Sequence, residues 1–211
     1  PLTVPPRFFW GFFVVVMTGF AHGHKQGVRG SAWQLLVSLF FYYKTSGLFV
    51  LILLFSTVSD YSIALMIHRA TGLTAKRLWL SLSVTVNLGL LCYFKYAHFL
   101  TENINLAFGT HFVEVNYFAQ WSNGLFGTSH IVDRILLPVG ISFFTFQAMS
   151  YTIDVYRGQL KATRSYTDFL LFVTFFPQLV AGPIVRASDF LPQLEEKRRF
   201  KNVDVHLALV Q

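Results

Sequence analysis

The chain has 211 residues, of which 54% are hydrophobic, 18% are aromatic and only 13% are charged, and its formal net charge is +7. A soluble domain carries about 25% charged residues, so this chain lacks the polar surface that a soluble domain needs. The 17 Lys and Arg residues cluster in short loops between apolar blocks, which is typical of membrane topology and argues against nucleic acid as a partner. We therefore expect an all-α, polytopic helical bundle in a lipid bilayer.

Six apolar segments follow one another along the chain. They lie near residues 8–21, 33–43, 47–67, 78–100, 135–153 and 168–187. Because about 20 apolar residues are needed to cross the hydrocarbon core, the third segment is the clearest span. The second is short, which fits either a tilted span or one arm of a re-entrant hairpin. Residues 101–134, rich in Asn, Gly and aromatic residues, are predicted to form a long loop.

The sixth segment contains Pro177, Gly182 and Pro183, so we expect a broken helix there. The basic loops 22–32, 68–77 and 154–167 would share the cytoplasmic side under the positive-inside rule. The basic tail at 197–201 reaches that side only if the chain turns back within the membrane. We therefore predict a re-entrant segment over 169–184, whose non-helical backbone must be buried in protein or line a water-filled cavity.

Ionisable residues inside apolar segments are costly and need a reason. Asp60 lies one helical turn from Ser56, so the two predict a polar seam on the third segment. A functional group and a plain hydrogen bond between helices are equally open interpretations of Asp60. Lys95 and His98 lie near the end of the fourth segment, where a long side chain reaches the interface at little cost.

The fifth segment carries Gln147, Tyr151 and Asp154 at spacings of four and three residues, which places them on one face of a helix. Arg157 follows one turn later and could pair with Asp154. This face predicts either a polar wall of a cavity or simple packing between helices.

The chain offers little for a metal site or a resident cofactor. Cys92 is the single cysteine, so the sequence holds no internal disulfide and no cysteine cluster. Among the seven histidines, His22 and His24 have no acidic or cysteine neighbour that would complete a metal site. No nucleophile elbow, phosphate loop or dinucleotide fingerprint occurs. We expect no metal and no bound cofactor.

Two long strings carry a family resemblance: LLPVGISFFTFQAMSYTIDVYR at 136–157 and FFPQLVAGPIVRASDFLPQ at 175–193. Shorter pieces agree with them, namely SLFFYY at 38–43, STVSDY at 56–61 and NLGLLCYFKY at 87–96. Over roughly residues 30–200 the chain resembles the N-terminal portion of the membrane-bound O-acyltransferase family, in its bacterial alginate O-acetyltransferase branch.

The resemblance implies part of that family's fold, passing several times through the bacterial inner membrane. Members move an acyl group from a cytoplasmic thioester, here acetyl-CoA or another acyl thioester, to a hydroxyl acceptor beyond the membrane. The implied product is an O-acetylated exported polysaccharide, with a periplasmic acetyltransferase or a polysaccharide-export protein as partner. The family's catalytic histidine lies beyond Gln211, so no catalytic residue is carried over and this chain alone is expected to be inactive.

On this view the chain supplies the wall of an acyl-transfer cavity. The predicted lining residues are Gln147, Tyr151, Asp154, Gln178 and Arg186. The predicted shape of the break comes from Pro177, Gly182 and Pro183. Packing without a functional role is an equally open interpretation of these polar residues.

Two other function classes stay open at this stage. A transporter or channel subunit would also use broken helices and intramembrane charge, although the two halves of the chain show no repeat. A truncated family member could serve as a non-catalytic scaffold. The segment after Asn202 has the pattern of a helix that begins and then stops, so we expect the chain to be part of a longer protein.

Overall fold

A computed structural model of the chain describes residues 16, 28–127, 135–175, 178 and 185–195. In these residues the regular structure is helical, without strands, as predicted. The α-helices are α1 Val28–Ser46, α2 Val50–Arg69, α3 Leu73–Lys95, α4 Ala97–Phe108, α5 Tyr117–Phe126, α6 Ile141–Tyr156, α7 Tyr166–Thr174 and α8 Ala187–Glu195. The short 3₁₀ helix Gly47–Phe49 connects α1 to α2.

Within the described residues, two stretches are long and apolar enough to cross a membrane. They are Ser31–Arg69, which includes α2 and most of α1, and Leu73–Lys95, which is α3. Large apolar side chains on the first stretch point away from the rest of the protein, such as Phe40 and Phe55, which are 54% and 59% exposed. Exposed apolar surface of this extent is a liability in water but is normal against lipid. The chain is an all-α membrane protein segment, as its composition predicts.

The core lies where α6 packs against both α2 and α3, and where α7 packs against α1 and α2. Its fully buried side chains include Leu53, Phe144, Phe169 and Phe172. Tyr42 near the end of α1 is 2% exposed, and its hydroxyl donates a hydrogen bond of 3.0 Å to the carbonyl oxygen of Val139 just before α6. Residues far apart in the sequence are thus brought together around α6.

The region predicted as one long loop, 101–134, instead contains the end of α4 and the whole of α5. Three of its turn-favouring residues lie at helix ends: Gly109, Asn116 and Gly127. Gly109 and Gly127 follow α4 and α5 with φ of 63° and 62°, a left-handed conformation that glycine adopts without a steric penalty. Asn116 caps α5 by accepting a hydrogen bond from the backbone N–H of Ala119 at 2.9 Å.

The other predicted segments differ in their bounds. Segment 78–100 is divided between α3 and α4 at Tyr96, and segment 135–153 begins with six non-helical residues before α6. Segment 8–21 lies outside the described residues except for Val16. In the sixth segment α7 ends at Thr174, and residues 176, 177 and 179–184 lie outside the described part. The re-entrant turn, with Pro177, Gly182 and Pro183, therefore stays a prediction.

Candidate functional site

Gln147 forms the centre of a buried polar contact between α6 and the end of α7. Its side chain is fully buried, and its Nε2 donates to the carbonyl oxygen of Phe172 at 2.9 Å and to Oε1 of Gln178 at 3.1 Å. Carbonyl groups in the last turn of a helix lack partners within that helix. Gln147 satisfies one of them and also holds Gln178, which lies beyond the end of α7. Two of the predicted lining residues are thus in direct contact.

The side-chain amide of Gln147 also has an acceptor atom without a hydrogen-bond donor. Its Oε1 is buried and makes no hydrogen bond within the part of the chain that the structure describes. A buried carbonyl oxygen without a partner costs about 1 to 3 kcal/mol relative to a satisfied one. Such an atom can accept a hydrogen bond from the hydroxyl or amide of a bound molecule. Gln178 is only 8% exposed, so this acceptor lies in an environment that excludes bulk water.

Tyr151 lies one turn further along α6 and is also fully buried. Its hydroxyl accepts a hydrogen bond of 2.9 Å from the backbone N–H of Thr163, in the loop that leads to α7. Its ring lies 4.6 Å from that of Phe169, measured between centroids. These contacts anchor the α6–α7 loop against the core.

Asp154 and Arg157 do not form the pair that their spacing permits. The described residues contain no ion pair between them. Helix α6 ends at Tyr156, and the chain turns at Gly158, where φ is 73°. The backbone carbonyl of Asp154 accepts bonds from the N–H groups of Gln159 and Leu160 at 3.0 and 3.3 Å. The side chain of Asp154 is half-buried at this end of the helix.

Arg186 differs from Gln147 and Gln178, which are buried, because its side chain is exposed. Its backbone carbonyl oxygen accepts hydrogen bonds from the N–H groups of Asp189 and Phe190 at 3.0 and 3.1 Å, which begins α8. The structure therefore joins Gln147 with Gln178, places Tyr151 and Asp154 further along α6, and leaves Arg186 at the surface.

Asp60 belongs to a second buried polar cluster, between α2, α3 and α6. The Asp60 carboxylate is fully buried. It accepts hydrogen bonds from Ser83 Oγ at 2.6 Å and from Asn87 Nδ2, which lies 2.9 Å from each carboxylate oxygen. Ser56 Oγ donates to Asn87 Oδ1 at 3.4 Å, and Thr152 of α6 also approaches the carboxylate. We refer to these five residues as the Asp60 cluster.

The Asp60 cluster fits the predicted seam of Ser56 and Asp60 and extends it to two more helices. Sequence reasoning missed Ser83 and Asn87 as partners. Their spacing of four residues within an apolar segment was the available signal, because it places both on one face of α3. Donors from the protein surround the Asp60 carboxylate. This arrangement is typical of a polar group that links three helices by hydrogen bonds.

Lys95 and His98 lie at the surface, as predicted for residues at a membrane boundary. The Lys95 ammonium lies 5.4 Å from the ring centroid of Tyr96 and 3.3 Å from Ser142 Oγ. His98 contacts two carboxylates: its Nδ1 lies 2.6 Å from Glu114 Oε1 and its Nε2 lies 3.4 Å from Glu102 Oε1. Among the described residues, no group of three or more His, Cys, Asp or Glu residues is arranged to hold a metal ion.

No protein-family model matches the chain, and no solved structure matches it significantly. Curated proteins do match. The peptidoglycan O-acetyltransferase of Helicobacter pylori is 33% identical over 236 aligned positions, which cover 97% of this chain and 41% of that protein. The probable alginate O-acetylase of Azotobacter vinelandii is 41% identical over 142 residues, covering 67% of this chain and 26% of the relative. The corresponding protein of Pseudomonas aeruginosa is 39% identical over 153 residues, covering 71% and 26%.

The chain belongs to the membrane-bound O-acyltransferase family. Relatives named for peptidoglycan and for alginate match it at similar identity, so membership does not select one acceptor. The chain spans less than half of the length of these membrane-bound O-acyltransferase relatives. The alignment with the Helicobacter pylori protein covers 97% of this chain, which includes the regions of the Gln147 contact and of the Asp60 cluster.

Proposed function

We propose that the full-length protein is an O-acyltransferase of the bacterial inner membrane, passing through it several times, that acetylates an exported polysaccharide. The donor would be a cytoplasmic acyl thioester, acetyl-CoA being the simplest. The observation that carries the proposal is the match of 97% of the chain to a protein named peptidoglycan O-acetyltransferase, together with several matches to proteins named alginate O-acetylase.

The reaction has simple requirements. A hydroxyl oxygen attacks the thioester carbonyl carbon, the carbon–sulfur bond breaks, and the hydroxyl proton passes to a base while the thiolate leaves. A histidine with a pKa near neutrality is suited to accept that proton. The family resemblance places that histidine outside this chain, so we assign the chain no catalytic residue.

This chain's contribution would be the wall of a site that keeps water from the acyl group. Exclusion of water protects a thioester or an acyl intermediate from hydrolysis. Gln147 and Gln178 are buried and in contact beside the end of α7, and Gln147 Oε1 has no partner among the described residues. We propose that this acceptor faces the acyl-transfer path, and that Tyr151 and Asp154 position the helix that carries it.

The proposal is tested by deleting the full-length gene in its host and measuring base-released acetate from each exported polysaccharide. Peptidoglycan and alginate are analysed separately, because relatives are named for both. We expect one acetyl content to fall to background and to return when the gene is restored. Unchanged acetylation of every exported polysaccharide would refute the proposal.

The donor is tested with purified full-length protein in liposomes, with radiolabelled acetyl-CoA on one side and the acceptor on the other. Transfer of label should require the protein and its periplasmic partner, since the resemblance implies a periplasmic acetyltransferase or an export protein. Label movement without ester formation would instead indicate a transporter.

A further inference from the structure

Helix α4, the loop that folds back along it and helix α5 make up residues 97–126, which we call the hairpin, and both helices are too short to span a membrane. At 1.5 Å per residue, their 12 and 10 residues reach about 18 and 15 Å, short of the roughly 30 Å hydrocarbon core. No residue of α4 is buried. The hairpin therefore cannot be placed across the membrane as the spanning helices are, and its position relative to the bilayer has to be argued separately.

The exposed surface of the hairpin is unusually apolar. Its exposed large apolar residues include Leu106 at 87%, Val113 at 84%, Phe108 at 78%, Tyr117 at 66%, Leu125 at 65% and Trp121 at 49%. Tyr117, Trp121 and Leu125 are spaced by four residues, so they form one stripe along the outer side of α5. Contiguous apolar surface of this kind marks a contact with lipid or with another protein.

The charged groups that follow the start of α4 lie on one side of that helix. His98 lies between Glu102 and Glu114 on one side of the hairpin. Leu100 and Ile104 lie two residues before and after Glu102, hence on nearly the opposite side of α4, and are 41% and 42% exposed. Leu100 and Ile104 thus form an apolar side of α4 opposite His98 and Glu102, while Leu106 lies one turn after Glu102. An apolar side opposite charged groups is typical of helices that lie in the plane of a membrane interface.

The position of the hairpin along the membrane normal follows from its contacts with α3. Only Tyr96 separates α4 from α3, which ends at Lys95, the end of the spanning stretch Leu73–Lys95. The Tyr93 hydroxyl in the last turn of α3 accepts a hydrogen bond of 2.9 Å from the backbone N–H of Tyr117. The Phe118 ring lies 6.3 Å from that of Phe94 and stacks 5.2 Å from that of Phe49. The start of α4 and the start of α5 are therefore both held at the end of a spanning helix.

Within itself the hairpin is ordered by Asn105. Its Nδ2 donates to the carbonyl oxygen of Phe112 at 2.9 Å, and its Oδ1 accepts from the backbone N–H of Phe112 at 2.8 Å and from Thr110 Oγ1 at 2.9 Å. The loop is thereby folded back onto α4, with Phe112 63% exposed. An amphipathic unit of this shape presents its apolar side as a fixed surface.

We propose that the apolar side of this hairpin lies in the headgroup region of the leaflet at the end of α3, with the His98, Glu102 and Glu114 side toward water. Tyr and Trp favour that zone because their rings are apolar and their polar tips are hydrated. The continuity with the spanning stretch selects lipid over a protein partner, since the hairpin begins where α3 leaves the hydrocarbon. This inference does not depend on acyl transfer.

The test is site-directed spin labelling of the full-length protein in phosphatidylcholine nanodiscs. Cys92 and any cysteine outside this chain are replaced by Ser, and single cysteines are introduced as Ile104→Cys, Leu125→Cys and the matched control Glu102→Cys. Phe55→Cys, on an outward position of α2, gives the hydrocarbon reference. Collision rates with oxygen and with a water-soluble nickel chelate give the depth of each label.

We expect the oxygen-to-nickel collision ratio at positions 104 and 125 to be several-fold above that at position 102 and below that at position 55. Equal ratios at 102, 104 and 125 would place the hairpin in water and overturn the proposal. Shielding of 104 and 125 from both reagents would indicate a protein partner and would also overturn it.

A second measurement avoids new cysteines. Brominated phosphatidylcholines quench tryptophan in a depth-dependent way, and the difference between wild type and Trp121→Phe isolates Trp121. Quenching that is strongest with bromine near the headgroup supports the proposal, and the absence of any quenching contradicts it.

Discussion

The side-chain amide of Asn87 reaches both carboxylate oxygens of Asp60 at 2.9 Å, which links α3 to α2 inside the bundle. Ser83 adds a third hydrogen bond to the same carboxylate at 2.6 Å. A carboxylate in a membrane helix is costly unless such partners surround it. The stability of the bundle should therefore respond to this pair more than to other polar residues on the same helices.

Replacing Asp60 by Ala should lower the free energy of unfolding by about 1 to 3 kcal/mol, because Asn87 and Ser83 lose their acceptor while staying buried. The measurement is thermal unfolding of the full-length protein in detergent micelles. Ser62→Ala is the matched control, since Ser62 is exposed on the same helix and bonds to its own backbone at Val58. Equal stability of the two variants would contradict a structural role for Asp60.

A double-mutant cycle on Asp60 and Asn87 should give a coupling free energy of about 1 kcal/mol, in the range found for hydrogen bonds between membrane helices. Denaturant titration of Asp60→Ala, Asn87→Ala and the double variant provides it. Asp60 paired with Asn103 serves as the reference cycle, because Asn103 bonds to Phe99 in its own helix. A coupling no larger than the reference value would show that the two residues act independently.

In the Asp60 cluster, the face formed by Ser56 and Asp60 could be predicted from the sequence, and the side chains that meet it from the other helices could not. The spacing of Ser56 and Asp60 indicates one face of a helix whatever the fold. Which side chains meet that face depends on how α3 packs against α2, and the spacing within a single helix carries no such information. For the same reason Gln147 and Gln178 could each be singled out as buried polar residues, while their hydrogen bond across 31 positions could not.

The prediction of one long loop over residues 101–134 was wrong for a different physical reason. Asn116, Gly109 and Gly127 are residues that favour turns, but the same properties make them good helix caps. The sequence shows that the chain stops being regular at these points. It does not show that a short helix lies between them.

Substituting Gln147 by Leu should reduce stability by at most about 1 kcal/mol, because the Phe172 carbonyl loses its donor while the cost of the unpartnered Oε1 is removed. In the full-length enzyme the same change should lower acetyl transfer further than the loss of folded protein explains. Acetate release is normalised to folded protein measured by size-exclusion chromatography. Gln193→Leu is the control, since Gln193 is exposed and bonds within α8. Transfer that simply follows the amount of folded protein would leave Gln147 with a packing role.

The change Tyr151→Phe should increase hydrogen exchange at the Thr163 amide, because that N–H loses its acceptor at 2.9 Å while the ring contact with Phe169 remains. The expected cost is about 1 kcal/mol, confined to the α6–α7 loop. Exchange is followed by mass spectrometry of peptides covering 157–165. Tyr43→Phe, at a half-exposed position on α1, should leave these peptides unchanged. Unaltered protection of Thr163 in Tyr151→Phe would contradict the anchoring role.

Arg186→Ala should leave the unfolding temperature nearly unchanged, because surface substitutions away from buried networks typically alter stability by less than about 0.5 kcal/mol. If Arg186 lines the acyl-transfer path of the full-length protein, acetate release should nevertheless fall. Arg186→Lys keeps the charge and should restore part of it. Full acetyl transfer by Arg186→Ala at normal protein level would remove Arg186 from the proposed path.

The hydrogen bond from Tyr42 to Val139 joins positions 97 residues apart, and this separation bears on how the protein is made. Ribosomes add about 5 to 20 residues per second, so α1 leaves the ribosome roughly 5 to 20 seconds before its acceptor is synthesised. During that interval the Tyr42 hydroxyl has to find a temporary partner in the insertion machinery, the headgroups or a chaperone. If synthesis stops before Val139 is made, or if such a chaperone is lost, α1 should therefore be the first helix to be degraded.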